Sequence, residues 1–535
     1  MTIQVTNPIL PGFNPDPSIC RVGDDYYIAT STFEWYPGVQ ISHSRDLKNW
    51  QIVSRPLNRP SQLNMLGNPD SCGVWAPCLS YADGQFWLIY TDVKRQNGSF
   101  KDAHNYLVTC NTIDGEWSDP IYLNSSGFDP SLFHEDDGSK WLVNMIWDYR
   151  PNHNRFGGIL LQQYDPQEKK LIGPIRNIYG GTSLGLVEGP HLYKRNGYYY
   201  LFVAEGGTEY NHAETVARAD NLFGPYETIP GDHLLTSRLH PEAELQRAGH
   251  ASIVTTPEGH DILVHLCGRP IKNKKVCILG RETAIQNLVW KDDWPQLSHG
   301  SQVPLKVVDL PIEQELPFPS APARINFDQP TLDIRWQWLR TPYPQNFISL
   351  TDRSGYLRLK GQESVGSVFN QSLLAIRQTD FHFQAQTQLE FNPTDFQQQA
   401  GLICYYNTHK YHYLYISYDE TQGRHLGIMS CMAAMDWQSE FPESQMLKQI
   451  PIPQTGPLSL RATMENDTLL FSWSADEKHW HQIDVVLDSS ILSDEAGLGA
   501  GSNFTGAFVG LSCQDLSGQK RHADFKYFEY LGFDQ

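Results

Sequence analysis

The chain has 535 residues, a formal charge of −19 at pH 7 and nine scattered cysteines. This length exceeds what one hydrophobic core usually serves, so at least two domains are expected. The negative charge disfavours nucleic acid as a partner, because phosphate binding needs clustered Lys and Arg. An odd cysteine count without a Cys-x-x-Cys pair favours reduced thiols, and Cys72 and Cys78 lack the further ligands of a zinc site.

Neither a secretion signal nor a membrane segment is visible. The N-terminus MTIQVTNPIL lacks a basic region followed by an apolar one. No stretch approaches the roughly eighteen apolar residues of a transmembrane helix. We therefore predict a soluble, cytoplasmic protein without membrane contact.

Residues 1–310 repeat one pattern five times. A small residue or Pro leads into a short apolar strand, a Gly-containing turn and a strand rich in aromatic and β-branched residues. The copies are DPSICRVGDDYYIATST from Asp16, WAPCLSYADGQFWLIYTDV from Trp75, DPSLFHEDDGSKWLVNMIW from Asp129, EGPHLYKRNGYYYLFVAEGG from Glu188 and GHASIVTTPEGHDILVHLCGR from Gly249.

These copies begin about 55 to 60 residues apart, which suits a four-stranded blade. An aromatic content of 12%, with 41 Gly and 34 Pro, also favours many short strands and turns. The sequence therefore predicts an all-β chain that begins with a five-bladed β-propeller. A β-sandwich or meander with accidental similarity is the alternative.

In a propeller the innermost strands of all blades meet at the central axis. Residues at the repeat starts then become neighbours in space although they are far apart in sequence. We expect one end of the channel to gather Asp16, Trp75, Asp129, Glu188 and His250.

Three carboxylates beside aromatic side chains suggest chemistry on a sugar. Phe33, Trp35 and Trp75 are available to pack against a pyranose ring. Glycosidic cleavage needs one protonated acid and one ionised carboxylate, and a third acid can raise the pKa of the proton donor.

Each of these residues also has an ordinary structural interpretation. Asp16 and Asp129 precede prolines and could be turn residues, while Glu188 could be a solvated loop acid. His250 could be a buried core histidine and Trp75 a core residue of the propeller. Arg281 could simply pair with a carboxylate.

Taken together, the motifs resemble glycoside hydrolase family 43, specifically its two-domain β-xylosidases. The resemblance covers nearly the whole chain, and the motifs occur in the family's order. They are NPDPS with Asp16, SRDLKNW, GVWAPCLSY with Trp75, GFDPSLF with Asp129, LVEGPHLYK with Glu188 and LGRETAIQ with Arg281.

The resemblance implies roles for the three acids in an inverting reaction. Asp16 would be the general base, Glu188 the general acid and Asp129 the residue that tunes and orients the acid. Asp16 and Glu188 would then lie roughly 6.5 to 9.5 Å apart, leaving room for the attacking water.

The resemblance also implies a set of substrate-binding residues. Arg281 would contact hydroxyls of the terminal sugar and help to keep Asp16 ionised. Phe33, Trp75 and Thr208 match positions that line the family's pocket. His250 matches an axial histidine, but Ala251 stands where glycine is expected after it.

The second half of the chain is again β-like. Residues 311–329 are proline-rich and predict a linker. Residues 330–535 contain strand patterns without the propeller period, which predicts a β-sandwich, and the resemblance makes it concanavalin-like. By motif, Phe504 in SNFTGAF would sit on a loop that closes the pocket, although a plain loop or core Phe is the simpler interpretation.

These features predict an exo-acting 1,4-β-D-xylosidase that releases xylose from non-reducing ends of short xylooligosaccharides, with α-L-arabinofuranosidase activity as a second activity. One alternative is a fructan-cleaving hydrolase, which NPDPS disfavours because that family carries Asn-Asp-Pro. Another is a non-catalytic carbohydrate-binding propeller.

No ligand cluster dictates a metal or other cofactor, so none is predicted to be required. In some relatives the axial histidine faces water or a cation, so a cation near His250 is compatible with the resemblance. A dimer or tetramer is predicted from the family.

Overall fold

Most of the chain forms antiparallel β-strands in the computed structural model, which describes residues 2–271, 274–432, 449–497 and 503–534. Within these residues the helical elements are two short 3₁₀ turns, Pro344–Asn346 and Ser489–Ile491. No helix in this part of the chain is long and apolar enough to span a membrane. The nine cysteines are buried.

Five antiparallel sheets form the blades of a propeller, and in each one the strand order follows the chain. From the innermost strand outward, blade 1 comprises Ser18–Val22, Asp25–Thr30, Gln40–Ser44 and Gln51–Ser54; blade 2 Gly73–Ala82, Gln85–Arg95, Asp102–Cys110 and Ile121–Asn124; and blade 3 Ser131–His134, Lys140–Trp147, Phe156–Asp165 and Lys170–Tyr179. Blade 4 comprises Glu188–Arg195, Tyr198–Glu205, Ala213–Ala219 and Glu227–Thr228, with Leu235–Thr236 also paired to its third strand, and blade 5 Gln246–Thr255, Asp261–Gly268, Glu282–Lys291 and Trp294–Leu297.

Tight turns explain why the repeated pattern folds into hairpins. In Asp83-Gly84 and Asn196-Gly197 both residues have positive φ, which is the geometry of the type I′ turn that matches strand twist. The resulting inner strands contact one another in a closed ring, blade 1 to 2, 2 to 3, 3 to 4, 4 to 5 and 5 to 1. The predicted propeller is confirmed.

The N-terminal segment helps to close this ring. Strand Ile3–Thr6 pairs with Val307–Leu310, which follows blade 5. The Asn7 amide donates to the Ile285 carbonyl at 2.9 Å, so the segment also crosses blade 5 before it enters blade 1. The first and last strands of the propeller region therefore pair with each other next to blade 5.

In the described part of the second half the strands form two sheets, as predicted for a β-sandwich, each of eight strands when Trp35–Tyr36 from the first half is included in the inner one. The outer sheet contains Ile348–Ser349, Leu357–Lys360, His522–Gly532, His382–Glu390, Leu458–Glu465, Thr468–Ser474 and His481–Asp488, with Arg324–Asn326 paired to His522–Gly532. The inner sheet contains Ile450–Pro451, Gly423–Met432, Lys410–Asp419, Gln398–Asn407, Phe508–Asp515, Leu373–Arg377, Gln337–Leu339 and Trp35–Tyr36.

Burial patterns show why one sheet lies between the other sheet and the propeller. Strand His382–Glu390 alternates half-buried and buried residues, so only one face is covered. Strand Lys410–Asp419 is buried almost continuously. Its neighbouring residues Tyr413 and Leu414 point to opposite faces and belong to two different buried clusters, each of which joins residues of the propeller and of the sandwich.

Two sequence predictions need correction at the domain junction. The linker predicted at 311–329 ends earlier, because Arg324–Asn326 is already an edge strand of the sandwich. Trp35 is not a wall of the pocket. It is fully buried in a strand that joins the inner sandwich sheet, and its ring stacks on Phe508 at a centroid distance of 3.7 Å.

Candidate active site

A cavity of about 400 Å³ opens at one end of the propeller axis. All nine predicted site residues line it. They are Asp16, Phe33, Trp75, Asp129, Glu188, Thr208, His250, Arg281 and Phe504.

A left-handed backbone position recurs where the chain enters each inner strand. The five positions are Asp16 with φ 55°, Ala76 with 25°, Asp129 with 53°, Gly189 with 57° and His250 with 52°. A non-glycine residue held in this region costs about 1 to 3 kcal/mol, so the surrounding fold must enforce it. In three blades this position supplies the site residue itself.

In blades 2 and 4 the preceding residue supplies the site side chain instead. Trp75 and Glu188 each lie one position before the left-handed residue, and the strand pairing shifts just after them. An alignment of the repeats on their first residues is therefore off by one in these two blades, and also in blade 5, whose copy begins at Gly249, one residue before His250. Gly189 is needed here because a Cβ atom would lie 3.0 Å from the His250 ring.

Asp16 is buried, and charged and polar groups hold it ionised. It accepts hydrogen bonds from Arg281 Nη1 at 2.5 Å and Ser31 Oγ at 2.6 Å, and His250 Nδ1 lies 3.8 Å away. Burial alone would raise the pKa of Asp16, but the Arg281 charge, with a smaller contribution from the Ser31 hydrogen bond, lowers it below its ordinary value. Asp16 therefore stays a carboxylate near neutral pH.

The pKa values of the other two acids, Glu188 and Asp129, are shifted upward, opposite to that of Asp16. Burial raises the pKa of Glu188, and the negative charge of Asp16 adds to this effect, while Arg281 and Lys101 oppose it. Burial, with the charges of Glu188 and Asp16, also raises the pKa of Asp129 well above its usual value. Asp129 accepts a hydrogen bond from the Gly189 N–H at 3.2 Å, next to Glu188. These two acids together retain protons at a pH where Asp16 is ionised.

Aromatic rings form one wall of the cavity. Phe33 lies 5.8 Å from Trp75 and 6.2 Å from Phe504, and Trp75 lies 5.7 Å from Phe504, measured between ring centroids. Phe504 comes from the sandwich, while the other two rings come from the propeller. This wall therefore depends on both domains.

Backbone contacts hold Phe504 in place. Its N–H donates to Ser71 Oγ at 3.1 Å, and its carbonyl accepts from Arg281 Nη2 at 2.9 Å. Arg281 thus connects the sandwich loop to Asp16. The structure places Phe504 where the family motif predicted it, in the pocket.

Arg247 is a second link between the pocket and the sandwich. Its Nε donates to the Thr208 carbonyl at 2.8 Å, and its Nη2 donates to Asp494 Oδ2 at 2.7 Å. Asp494 also accepts from the Tyr406 hydroxyl, which in turn accepts from the Thr505 N–H at 3.1 Å. The guanidinium therefore positions both Thr208 and the residues that flank Phe504.

Replacing Arg247 with methionine is expected to loosen this part of the pocket. The KM for the substrate should rise roughly tenfold with a smaller change in kcat, because binding groups move while the acids stay in place. Removing one partner of a buried pair should also lower the free energy of unfolding by about 3 to 5 kcal/mol. Steady-state kinetics and denaturant unfolding measure these effects.

Arg353→Met is the matched control, because Arg353 pairs with Glu390 and Asp524 away from the pocket. It should leave KM unchanged. An unchanged KM in folded Arg247→Met protein would show that Arg247 stabilises the domain contact without positioning the pocket.

Sequence reasoning missed several lining residues. Lys101 Nζ lies 4.5 Å from the centre of the Trp147 ring, and its pKa is lowered by burial, an effect that Glu188 opposes. The Trp147 ring packs against Phe128 and Phe156. Phe128 directly precedes Asp129 in GFDPS and could have been found from that motif, whereas Lys101 carries no such signal.

The alanine after His250 has a simple explanation. Ala251 is fully buried, and its N–H donates to Glu214 Oε2 at 2.8 Å. The positive φ falls on His250, so position 251 does not require glycine. Burial lowers the pKa of His250, which keeps its ring neutral near neutral pH.

Within the described residues, no group of three or more His, Cys, Asp or Glu side chains is arranged to hold a metal ion. The structure thus offers no ligand set for the cation considered near His250, which stays a prediction.

A propeller that gathers three buried carboxylates and an aromatic wall in one pocket defines a carbohydrate-cleaving type of enzyme. The chain belongs to glycosyl hydrolases family 43, whose sequence profile matches residues 5–295. The profile of the beta xylosidase C-terminal concanavalin A-like domain matches residues 324–531. The predicted family and the concanavalin-like type of the sandwich are confirmed, and the fructan-cleaving alternative is set aside.

Similar proteins extend over the full chain. The xylosidase/arabinosidase 43B of Humicola insolens is 54% identical and covers 98% of this chain and 97% of its own. The beta-xylosidase of Bacillus subtilis strain 168 is 51% identical over 99% of both chains. The crystal structure of xylan beta-1,4-xylosidase from Bacillus halodurans C-125 superposes with a TM-score of 0.95 at 52% identity and covers 98% of this chain and 99% of its own.

Proposed function

We propose that this protein is an inverting, exo-acting 1,4-β-D-xylosidase that releases xylose from the non-reducing ends of short xylooligosaccharides. One observation carries the proposal: a single pocket holds Asp16 in ionised form beside the proton-retaining pair Asp129 and Glu188. Hydrolysis of a glycosidic bond needs these two protonation states together.

The geometry suggests how the reaction proceeds. Asp16 removes a proton from water, which attacks the anomeric carbon, while Glu188 protonates the leaving oxygen. Arg281 and Ser31 keep Asp16 ionised and oriented. Asp129 accepts a hydrogen bond from the Gly189 N–H beside Glu188. Because the charge of Glu188 raises the pKa of Asp129, the two acids do not ionise independently and together retain protons.

The shape of the pocket supports exo action. Phe504 and the residues that hold it bring the sandwich against the propeller at the side of the pocket formed by Phe33 and Trp75. A wall there leaves space for a chain end and obstructs a continuous polysaccharide. Short oligosaccharides are therefore the proposed substrates.

A second activity on α-L-arabinofuranosides is also proposed. The Humicola relative is named for both xylosidase and arabinosidase activity, and the two sugars can present similar hydroxyl positions to one pocket. Cytoplasmic location and a homo-oligomeric state stay predictions.

Product analysis tests the main proposal. Nitrophenyl β-xyloside and β-1,4-xylobiose should be cleaved faster than nitrophenyl α-arabinofuranoside and β-1,3-xylobiose. Proton NMR during turnover should detect α-xylose first, because water attacks from the face opposite the leaving group. Initial formation of β-xylose would contradict the role of Asp16 as base, and absence of cleavage of all four substrates would favour the non-catalytic sugar-binding alternative.

A further inference from the structure

Four buried polar side chains meet where blade 1 contacts the sandwich. We call them the interdomain arginine cluster: Asn14, Gln40, Arg55 and Arg377, with exposed fractions of 5%, 3%, 7% and 8%. Arg55 directly follows the outer strand of blade 1, and Arg377 ends strand Leu373–Arg377 of the inner sandwich sheet. The cluster therefore belongs to both domains and lies outside the catalytic pocket.

Hydrogen bonds connect the four side chains in a row. Arg377 Nη1 donates to Asn14 Oδ1 at 2.7 Å, and Gln40 Nε2 donates to the same oxygen at 2.8 Å. Arg55 Nη2 donates to Gln40 Oε1 at 2.8 Å. Both amide oxygens of the cluster are thereby engaged.

Three guanidinium nitrogens are left without an acceptor. Arg55 Nη1, Arg377 Nε and Arg377 Nη2 are buried and form no hydrogen bond to any of the described residues. Burying such a donor without a partner costs about 1 to 3 kcal/mol, and more when the group is charged. These nitrogens belong to two arginines that share one chain of hydrogen bonds.

The positive charges are only partly compensated: Asp333 favours the charged form of Arg55, whereas no acid among the described residues does so for Arg377. Neither Arg55 nor Arg377 forms an ion pair with an acid among the described residues. The acid whose charge acts on Arg55 is Asp333. Its two oxygens already accept hydrogen bonds from Arg335 at 2.8 Å each. Burial lowers the pKa of Arg377, and repulsion from Arg55 adds to this effect.

Arginine remains protonated in proteins, so two buried positive charges lie in one hydrogen-bonded row here. Buried charges are normally paired with a counter-charge. The guanidinium carbon of Arg377 lies 5.5 Å from the centre of the Phe13 ring. This aromatic contact gives Arg377 Nε and Nη2 no hydrogen-bond acceptor.

We propose that a small inorganic anion, chloride under ordinary conditions, binds between Arg55 and Arg377. Such an ion accepts N–H donors from several directions and offsets the local positive charge. Because all four side chains are buried, the ligand that we propose is a small monatomic ion.

Anion binding here would stabilise the segment that carries Asp16. The Asn14 carbonyl accepts from Thr283 Oγ1 at 2.7 Å, and its N–H donates to the Arg281 carbonyl at 2.9 Å. Asn14 thus connects the cluster to the residue that pairs with Asp16. The site acts on stability and order and takes no part in the chemistry.

Crystallography of the wild-type protein tests the site directly. Crystals grown in bromide and measured at the bromine absorption edge should show an anomalous peak within hydrogen-bond distance of the three free nitrogens. Diffraction at long wavelength should show chloride at the same place in protein kept in chloride. A density peak with the scattering and coordination of water in both crystals would overturn the proposal.

Thermal unfolding gives an independent test. At constant ionic strength set with sodium gluconate, raising chloride from about 1 to 100 mM should raise the Tm by about 2 °C if the dissociation constant is near 1 mM. Arg377→Met and Arg55→Met should each lose this dependence. A Tm that does not respond to chloride in the wild type would contradict a site that exchanges with solvent chloride.

Arg424→Met is the matched control. Arg424 is also a buried sandwich arginine, but its donors all reach backbone carbonyls, those of Phe391, Pro453 and Gly456. This variant should be less stable yet keep the chloride response. Loss of the response here as well would show that it depends on overall stability and not on the cluster, whereas a response retained in Arg377→Met and Arg55→Met would show a general salt effect. The wild-type diffraction experiment stands even if a variant fails to fold.

Discussion

Replacing Asp16 with alanine is expected to abolish turnover of xylobiose and aryl xylosides alike, by roughly 10³- to 10⁴-fold in kcat. The loss should not depend on the leaving group, because the base activates water and the departing oxygen does not need it. Arg281 and Ser31, which hold the carboxylate, cannot remove a proton from water in its place. Steady-state kinetics with both substrate types measure the effect.

Asp16→Asn is the matched variant, because it keeps the size of the side chain and an acceptor for Ser31. It should be as inactive as the alanine variant while unfolding closer to the wild type. Substantial activity in Asp16→Asn protein, on any xyloside, would remove Asp16 as the base. Circular dichroism and unfolding curves separate loss of chemistry from loss of folding.

The position of Asp16 shows what the repeats allow one to predict. In a closed propeller ring every inner strand lies at one axis. Once the five copies are recognised in the sequence, the residues at their starts are therefore expected to lie close together. The same reasoning brought Asp129, Glu188 and His250 together. Their left-handed backbone was not predictable from a single sequence, because only the assembled ring shows which residue must bear the strain.

Other features depend on contacts between distant segments. From the sequence, Trp35 is predicted to be a pocket aromatic beside Phe33. Its strand instead pairs with Gln337–Leu339 of the sandwich, and the local sequence does not encode this long-range pairing. Lys101 follows a polar loop, and the path of that loop depends on contacts with other segments of the fold. Phe504 was placed by resemblance alone, since its anchoring by Ser71 and Arg281 spans most of the chain.

Replacing Glu188 with alanine is expected to separate substrates by leaving group. Cleavage of xylobiose should fall roughly 10²- to 10⁴-fold, because the sugar oxygen departs poorly without a proton. A dinitrophenyl xyloside, whose leaving group needs no proton, should keep activity within about tenfold of the wild type. Comparing kcat for the two substrates measures this separation.

The pH dependence gives the same residue a second test. Wild-type activity on xylobiose should fall at acidic pH as Asp16 gains a proton, which its lowered pKa confines to low pH. It should fall at basic pH as Glu188 loses its proton, and the raised pKa of Glu188 delays that loss. In Glu188→Ala protein the dinitrophenyl substrate should lose the basic limb and keep the acidic one, because only the proton donor has been removed. An unchanged basic limb, or equal losses on both substrates, would assign the proton donor to another group, with Asp129 the nearest candidate in the pocket.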